Sequence, residues 1–158
     1  MPSALLLIPL LASMAAAGTD LARFRIPNAI TLGLALAFLP AAWLAGLDMD
    51  AMIRHLGAGA AMFALGIAFF FFRFWGGGDA KLFGALSLWL GWQPLMAFVV
   101  AMVLAGGVLA LLLLGLRRLP WPETWRRNKM LRRHLAARAA VPYGVAMALG
   151  MVWVLLHV

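Results

Sequence analysis

The chain has no cysteine, a single tyrosine and only five acidic residues among its 158. The first absence excludes disulfides, thiolate zinc sites and a cysteine nucleophile, and it leaves the redox compartment unreadable. Charge is scarce as well: charged residues make up 11% and hydrophobic residues 66%. A soluble domain could not hide that much apolar surface, so the composition reads as an integral membrane protein. No linker, internal repeat or low-complexity tract divides the chain, and a single domain over residues 1–158 is expected. The histidines, His55, His134 and His157, are too scattered for a metal site, and a lone histidine near the end of an apolar stretch reads as a surface residue. Neither metal nor cofactor is expected. A formal net charge of +8 suits nucleic acid in principle, but the basic residues lie between apolar stretches. A membrane surface accounts for them, and no nucleic-acid partner is expected.

Six apolar stretches are present, at about 3–19, 29–46, 56–74, 80–92, 95–116 and 141–158. They predict an all-α, polytopic six-helix transmembrane bundle. The first resembles a signal peptide but lacks the basic start of one, and it is read as a span. Residues 80–116 would reach about 55 Å as one helix, against about 30 Å of hydrocarbon. Gly91-Trp92-Gln93-Pro94 is the natural break. The fourth stretch is short for a full crossing, so Gly76-Gly77-Gly78-Asp79 is expected to dip below the headgroups, where irregular backbone requires cover by protein or a wet cavity.

Counting Lys and Arg between the stretches sets the orientation. Twelve of the thirteen fall in 19–28, 73–81 and 117–140, and the exception is Arg54. The positive-inside rule puts those loops in the cytoplasm and both termini outside. Residues 117–140 carry eight basic residues with Trp121, Trp125, Leu131 and Leu135 at helical spacings, which reads as an amphipathic helix on anionic lipid.

The five acids can be weighed singly. Asp48 and Asp50 flank the loop on the other side, and Glu123 lies in the basic loop. Asp20 and Asp79 each close or open an apolar stretch, and the topology puts them on the same, cytoplasmic, side. Ionisable groups at such positions are costly and read as functional. Two carboxylates held close share one proton and can activate water, as an aspartyl protease does. Taken alone, Asp20 reads as a solvated acid neutralised by Arg23 or Arg25, and Asp79 as a helix N-cap. Three glycines before Asp79 exceed what a cap needs, and at Gly76 and Gly78 they suit positive φ or close approach of a peptide strand.

Asp20 ahead of Arg25-Ile26-Pro27-Asn28, then Gly76-Gly77-Gly78-Asp79-Ala80-Lys81-Leu82, then Val141-Pro142-Tyr143-Gly144 together resemble the type IV prepilin peptidase family, in the short form that serves Flp-type, tight-adherence pili. The resemblance covers essentially the whole chain. It implies that Asp20 and Asp79 are the catalytic pair of an endopeptidase that cuts the basic leader from prepilins on the cytoplasmic face, for pilus assembly or secretion. Larger relatives add a segment with four zinc-binding cysteines and methylate the new amino terminus, whereas this chain has no cysteine to serve such a segment.

The remaining motif residues have structural accounts beside any functional one. Pro27 ends the loop conformation, Asn28 caps the second helix, and Arg25 marks the membrane border while tuning Asp20. Lys81 is a border residue whose charge also bears on the carboxylates. Pro142 suits a first helical turn, Gly144 permits close packing, and Tyr143 reads as an interfacial anchor ahead of a hydrogen bond into the dyad. Glu123 is a docking point for a basic leader, which the basic loop itself would repel. Two other readings remain open: a presenilin-like intramembrane protease, against which the Pro-containing motifs weigh, and a small proton-coupled transporter using the aspartates as a relay, against which the missing inverted repeat weighs.

Overall fold

The computed structural model describes residue 2, residues 4–119 and residues 141–157. Among them it holds six helices and no strand: α1 Leu7–Arg23, α2 Asn28–Leu44, α3 Met49–Phe71, α4 Gly77–Leu90, α5 Trp92–Arg118 and α6 Tyr143–His157. The all-α expectation is met, and α3 and α5 are long and apolar enough to cross a membrane. The expected amphipathic helix lies, from residue 120 onward, outside the described residues, and Glu123 with it.

Local chemistry explains where the helices start. α3 begins seven residues earlier than its apolar run, because the Asp48 side chain accepts the Ala51 N–H at 2.7 Å and Asp50 sits in the first turn. Arg54 then pairs with Asp50 one turn on. The break between α4 and α5 falls at Gly91, whose φ of +65° and ψ of −172° are open only to glycine. Pro94 does not make the break. It sits in the first turn of α5, where no intrahelical donor is lost.

α4 is the centre of the bundle. Leu82, Phe83, Leu86 and Trp89 are fully buried, and the Trp89 Nε1–H donates to the Leu34 carbonyl of α2 at 2.9 Å. Against α3 the helix packs backbone to backbone. A Cβ on Gly66 would lie 2.9 Å from Ala80 Cα, and one on Gly84 would lie 3.1 Å from Phe63 Cα. Small residues are what allow such an approach where solvent supplies no hydrophobic drive. His55 is not the surface residue expected: it is buried on α3, its Nδ1 lies 2.8 Å from the Leu88 carbonyl, and its ring leans on Phe38. α6 packs between α1 and α5. Outward faces carry Leu11, Leu36, Trp43, Phe71, Leu104 and Leu111, all exposed. That is the inverse of a soluble protein's surface.

Candidate active site

Asp20 lies in the last turns of α1, which ends when Phe24 takes the left-handed conformation (φ 52°) and donates its N–H to the Asp20 carbonyl at 2.7 Å. A non-glycine residue in that conformation carries strain, and the fold holds it directly beside an acid. The carboxylate of Asp20 is buried, 6% exposed, and its Oδ2 accepts the Gly144 N–H at 2.9 Å. That donor belongs to the first turn of α6, where backbone N–H groups have no intrahelical acceptor. Gly144 must be glycine, because a Cβ there would sit 3.0 Å from Asp20 Oδ2 and 3.1 Å from Asp20 Cβ.

Asp79 occupies the third position of α4. The N-cap is Gly76, so Asp79 is not itself the cap that its place after three glycines suggests. Its Oδ2 reaches back to accept the Gly76 N–H at 2.9 Å, the carboxylate half of a capping box. Its Oδ1 is buried and has no hydrogen-bond partner among the described residues. Burial, and after it the negative charge of Asp20, push the Asp79 carboxyl from an ordinary 3.8 up to about 6, while the Gly76 hydrogen bond pulls it down. The two aspartates are therefore electrostatic neighbours, although α1 and α4 lie far apart in the chain.

The glycines serve this arrangement in another way than expected. Neither Gly76 (φ −76°) nor Gly78 has positive φ; among the described glycines only Gly46 and Gly91 do. Gly78 is needed for space, since a Cβ there would meet Ile26 Cβ at 3.0 Å and the Ile26 carbonyl at 3.3 Å. The Arg25-Ile26-Pro27-Asn28 segment thus packs, through buried Ile26, on the turn that carries Asp79. At Gly76 a Cβ would press on Asp79 Oδ2 at 3.2 Å, whereas at Gly77 it would meet only Phe70, at ordinary contact distance.

Asn28 does not cap α2; the N-cap is Pro27, and no side chain completes it. Instead the Asn28 Oδ1 accepts from Lys81 Nζ at 2.9 Å, pinning the start of α2 to α4. Arg25 is exposed and, among the described residues, is in ion-pairing contact with no carboxylate. Tyr143 is half-buried, its ring 5.6 Å from that of Trp75 and edged by Gly106. Pro142 is buried just ahead of α6.

Sequence reasoning missed four contributors. Ile26 is the packing partner of Gly78. Trp75 joins Phe69, Phe83 and Tyr143 into an aromatic wall beside the glycine turn. Phe24 and Arg73 are the non-glycine residues with positive φ, one next to each acidic motif. Of these, Ile26 lies inside a motif, Phe24 and Trp75 stand directly before one, and no sequence signal marks Arg73. Chemically, a buried Asp79 carboxyl with one unpartnered oxygen, electrostatically coupled to a second buried carboxylate, has the groups needed to exchange a proton with water and a carbonyl.

No curated protein and no solved structure matches the chain. A family model does, over residues 5–111, a range that takes in both aspartates, the Arg25-Ile26-Pro27-Asn28 segment and the glycine turn. By that match over more than half its length, which takes in both aspartates, the chain belongs to the type IV leader peptidase family.

Proposed function

We propose that the protein is a membrane-embedded aspartyl endopeptidase that removes the basic leader from Flp-like type IV prepilins at the cytoplasmic face of a bacterial inner membrane, with Asp20 and Asp79 as its catalytic pair. The observation that carries the reading is the coupling of Asp79 to Asp20 across two motifs, with Asp79 raised to about 6. Two close carboxylates resist joint ionisation, and the member with the raised pKa takes up the proton first. That member is Asp79: ionised in most molecules at pH 7, it is the donor in the protonated fraction, giving its proton toward the scissile carbonyl and then the leaving amine. Asp20, whose Oδ2 already accepts the Gly144 N–H, takes the proton from the attacking water. After collapse of the tetrahedral intermediate the proton returns to the pair. The experiment is incubation of the purified protein with a membrane-inserted prepilin. A single cut at the leader junction supports the reading, while a cut inside the apolar helix, or none, overturns it.

The six-span arrangement supplies the location. Phe69-to-Trp75 and Arg23-to-Asn28 both border cytoplasm in this orientation, supported by the bias of basic residues. Single cysteines replacing Asp50 and Arg127 are expected to behave oppositely in intact cells, with only position 50 labelled by an impermeant maleimide. Labelling of position 127 from outside would invert the topology and remove the site from the cytoplasm.

The glycine turn makes a graded prediction. Gly77→Ala is expected to cleave within about twofold of wild type. Gly78→Ala overpacks Ile26 and falls at least about tenfold, the cost of overpacking being about 1–3 kcal/mol. Gly76→Ala lies between them, because the group it crowds is the carboxylate itself. Processing rates at matched expression decide it, and three equal rates would refute a steric role for the turn.

A further inference from the structure

A groove of about 580 Å³ runs between α2, α3 and α4, and neither Asp20 nor Asp79 lines it. Its walls are apolar, with Ala35, Ala60 and Ala85 leaving the space, and its polar groups are gathered at one end: Asn28, Thr31 and Lys81. Lys81 is exposed there. It gives one N–H to Asn28 Oδ1, and among the described residues no carboxylate lies within ion-pairing distance of it. That leaves the Lys81 Nζ with two further donors at the mouth of an apolar channel.

We propose that this groove is a binding site for an anionic phospholipid of the cytoplasmic leaflet, one acyl chain lying along α4 and the phosphate on Lys81 and Asn28. Two observations select that occupant. The charge at the mouth is uncompensated and positive, which suits a phosphate and does not suit a basic leader peptide. Depth is the second. From Lys81 to Leu88 on α4, and from Asn28 to Ala35 on α2, the lining covers seven residues, or about 10 Å. One leaflet offers about 15 Å of hydrocarbon and a bilayer-crossing helix about 30 Å, so the groove has the depth of a lipid tail. A phosphate bridging Lys81 and Asn28 would also clamp the start of α2 to α4, the joint that holds Ile26 against Gly78. The inference rests on the membrane placement and orientation proposed above but on none of the protease chemistry.

The test is binding, read on the full-length protein in detergent by native mass spectrometry and by thermal unfolding. Phosphatidylglycerol is compared with phosphatidylcholine of the same chains and with inorganic phosphate. Wild type is expected to retain phosphatidylglycerol about fivefold more tightly than phosphatidylcholine, the factor a single interfacial lysine supplies. Lys81→Gln, which keeps a donor for Asn28, should erase that preference. Ala60→Phe, filling the groove from an exposed position, should weaken both lipids. A photoreactive residue at Leu32 should crosslink to lipid. Equal retention of the two lipids by wild type, a preference surviving in Lys81→Gln, stabilisation by inorganic phosphate equal to that by phosphatidylglycerol, or a crosslink from Leu32 to prepilin instead of lipid would each overturn the proposal. None of these readouts depends on cleavage, so the peptidase reading stands or falls separately.

Discussion

Asp20→Asn and Asp79→Asn are each expected to lower prepilin processing by about three orders of magnitude or more, with both variants accumulating as folded protein. Asparagine keeps the shape and accepts the same backbone N–H, from Gly144 in one case and Gly76 in the other. What it cannot do is exchange a proton, and losing one member of a unit that acts together removes most of the chemistry. The two variants differ in stability, which separates their catalytic loss from misfolding. Asp79 has a carboxyl raised to about 6 in the fold from an ordinary 3.8. A raised acid contributes stability that is fully present below the unfolded value and is lost as pH climbs through the folded one. At pH 7 the native protein therefore carries the cost of an ionised, buried Asp79, and Asp79→Asn removes it. That variant should melt about 2–4 °C above wild type at pH 7, for an effect of about 1 kcal/mol, with the gap closing toward pH 4. Thermal unfolding at the two pH values, beside cleavage rates, checks the pair of expectations. Processing by either variant at near-wild-type rate removes that aspartate from the mechanism, and a Tm of Asp79→Asn below wild type at pH 7 removes the burial argument.

The second large effect is Gly144→Ala. The added methyl would sit 3.0 Å from Asp20 Oδ2 and 3.1 Å from its Cβ, so the carboxylate or the start of α6 must move. A displacement of the order of 1 Å at a reacting group costs about 10²-fold in rate. The expected result is a hundredfold loss of cleavage in a protein that still folds, because the crowding is confined to one turn. Gly107→Ala is the matched control, since a Cβ there meets nothing within 4 Å on the neighbouring α5. Equal rates for the two alanine variants would show that Gly144 is not needed to seat Asp20. The measurement also tests whether the Pro142-Tyr143-Gly144 segment, which lies beyond the matched family region, belongs to the working site.

Much of the molecule is legible in the chain alone. The apolar stretches become helices because no other backbone arrangement satisfies its own hydrogen bonds in so apolar a sequence. Asp20 and Asp79 stand out for the same reason: with five acids in the chain, one at each motif is conspicuous. The break at Gly91 is local chemistry, as is the early start of α3 at Met49, which follows from an Asp48 cap that apolar runs alone do not show. What the chain does not reveal is which side of each helix meets which neighbour. In a sequence that is two-thirds apolar, hydrophobic periodicity carries little directional information, and α2 and α6 are apolar nearly all round.

Three-dimensional packing settled the rest, and it did so largely through missing side chains. Gly144 takes its meaning from Asp20, 124 residues earlier, and Gly78 takes its meaning from Ile26. Asn28 turns from a presumed helix cap into the acceptor for Lys81 because the start of α2 lands beside the first turn of α4. His55 is buried rather than exposed because the Leu88 carbonyl, near the end of α4, faces α3. The sequence by itself determined the helices, the apolar character and the prominence of the two acids, since each depends on composition or on spacing within a few residues. The tertiary structure alone decided how Asp20 and Asp79 are seated, because a glycine is informative only once the atom filling the space of its absent Cβ is known, and that atom comes from a distant part of the chain.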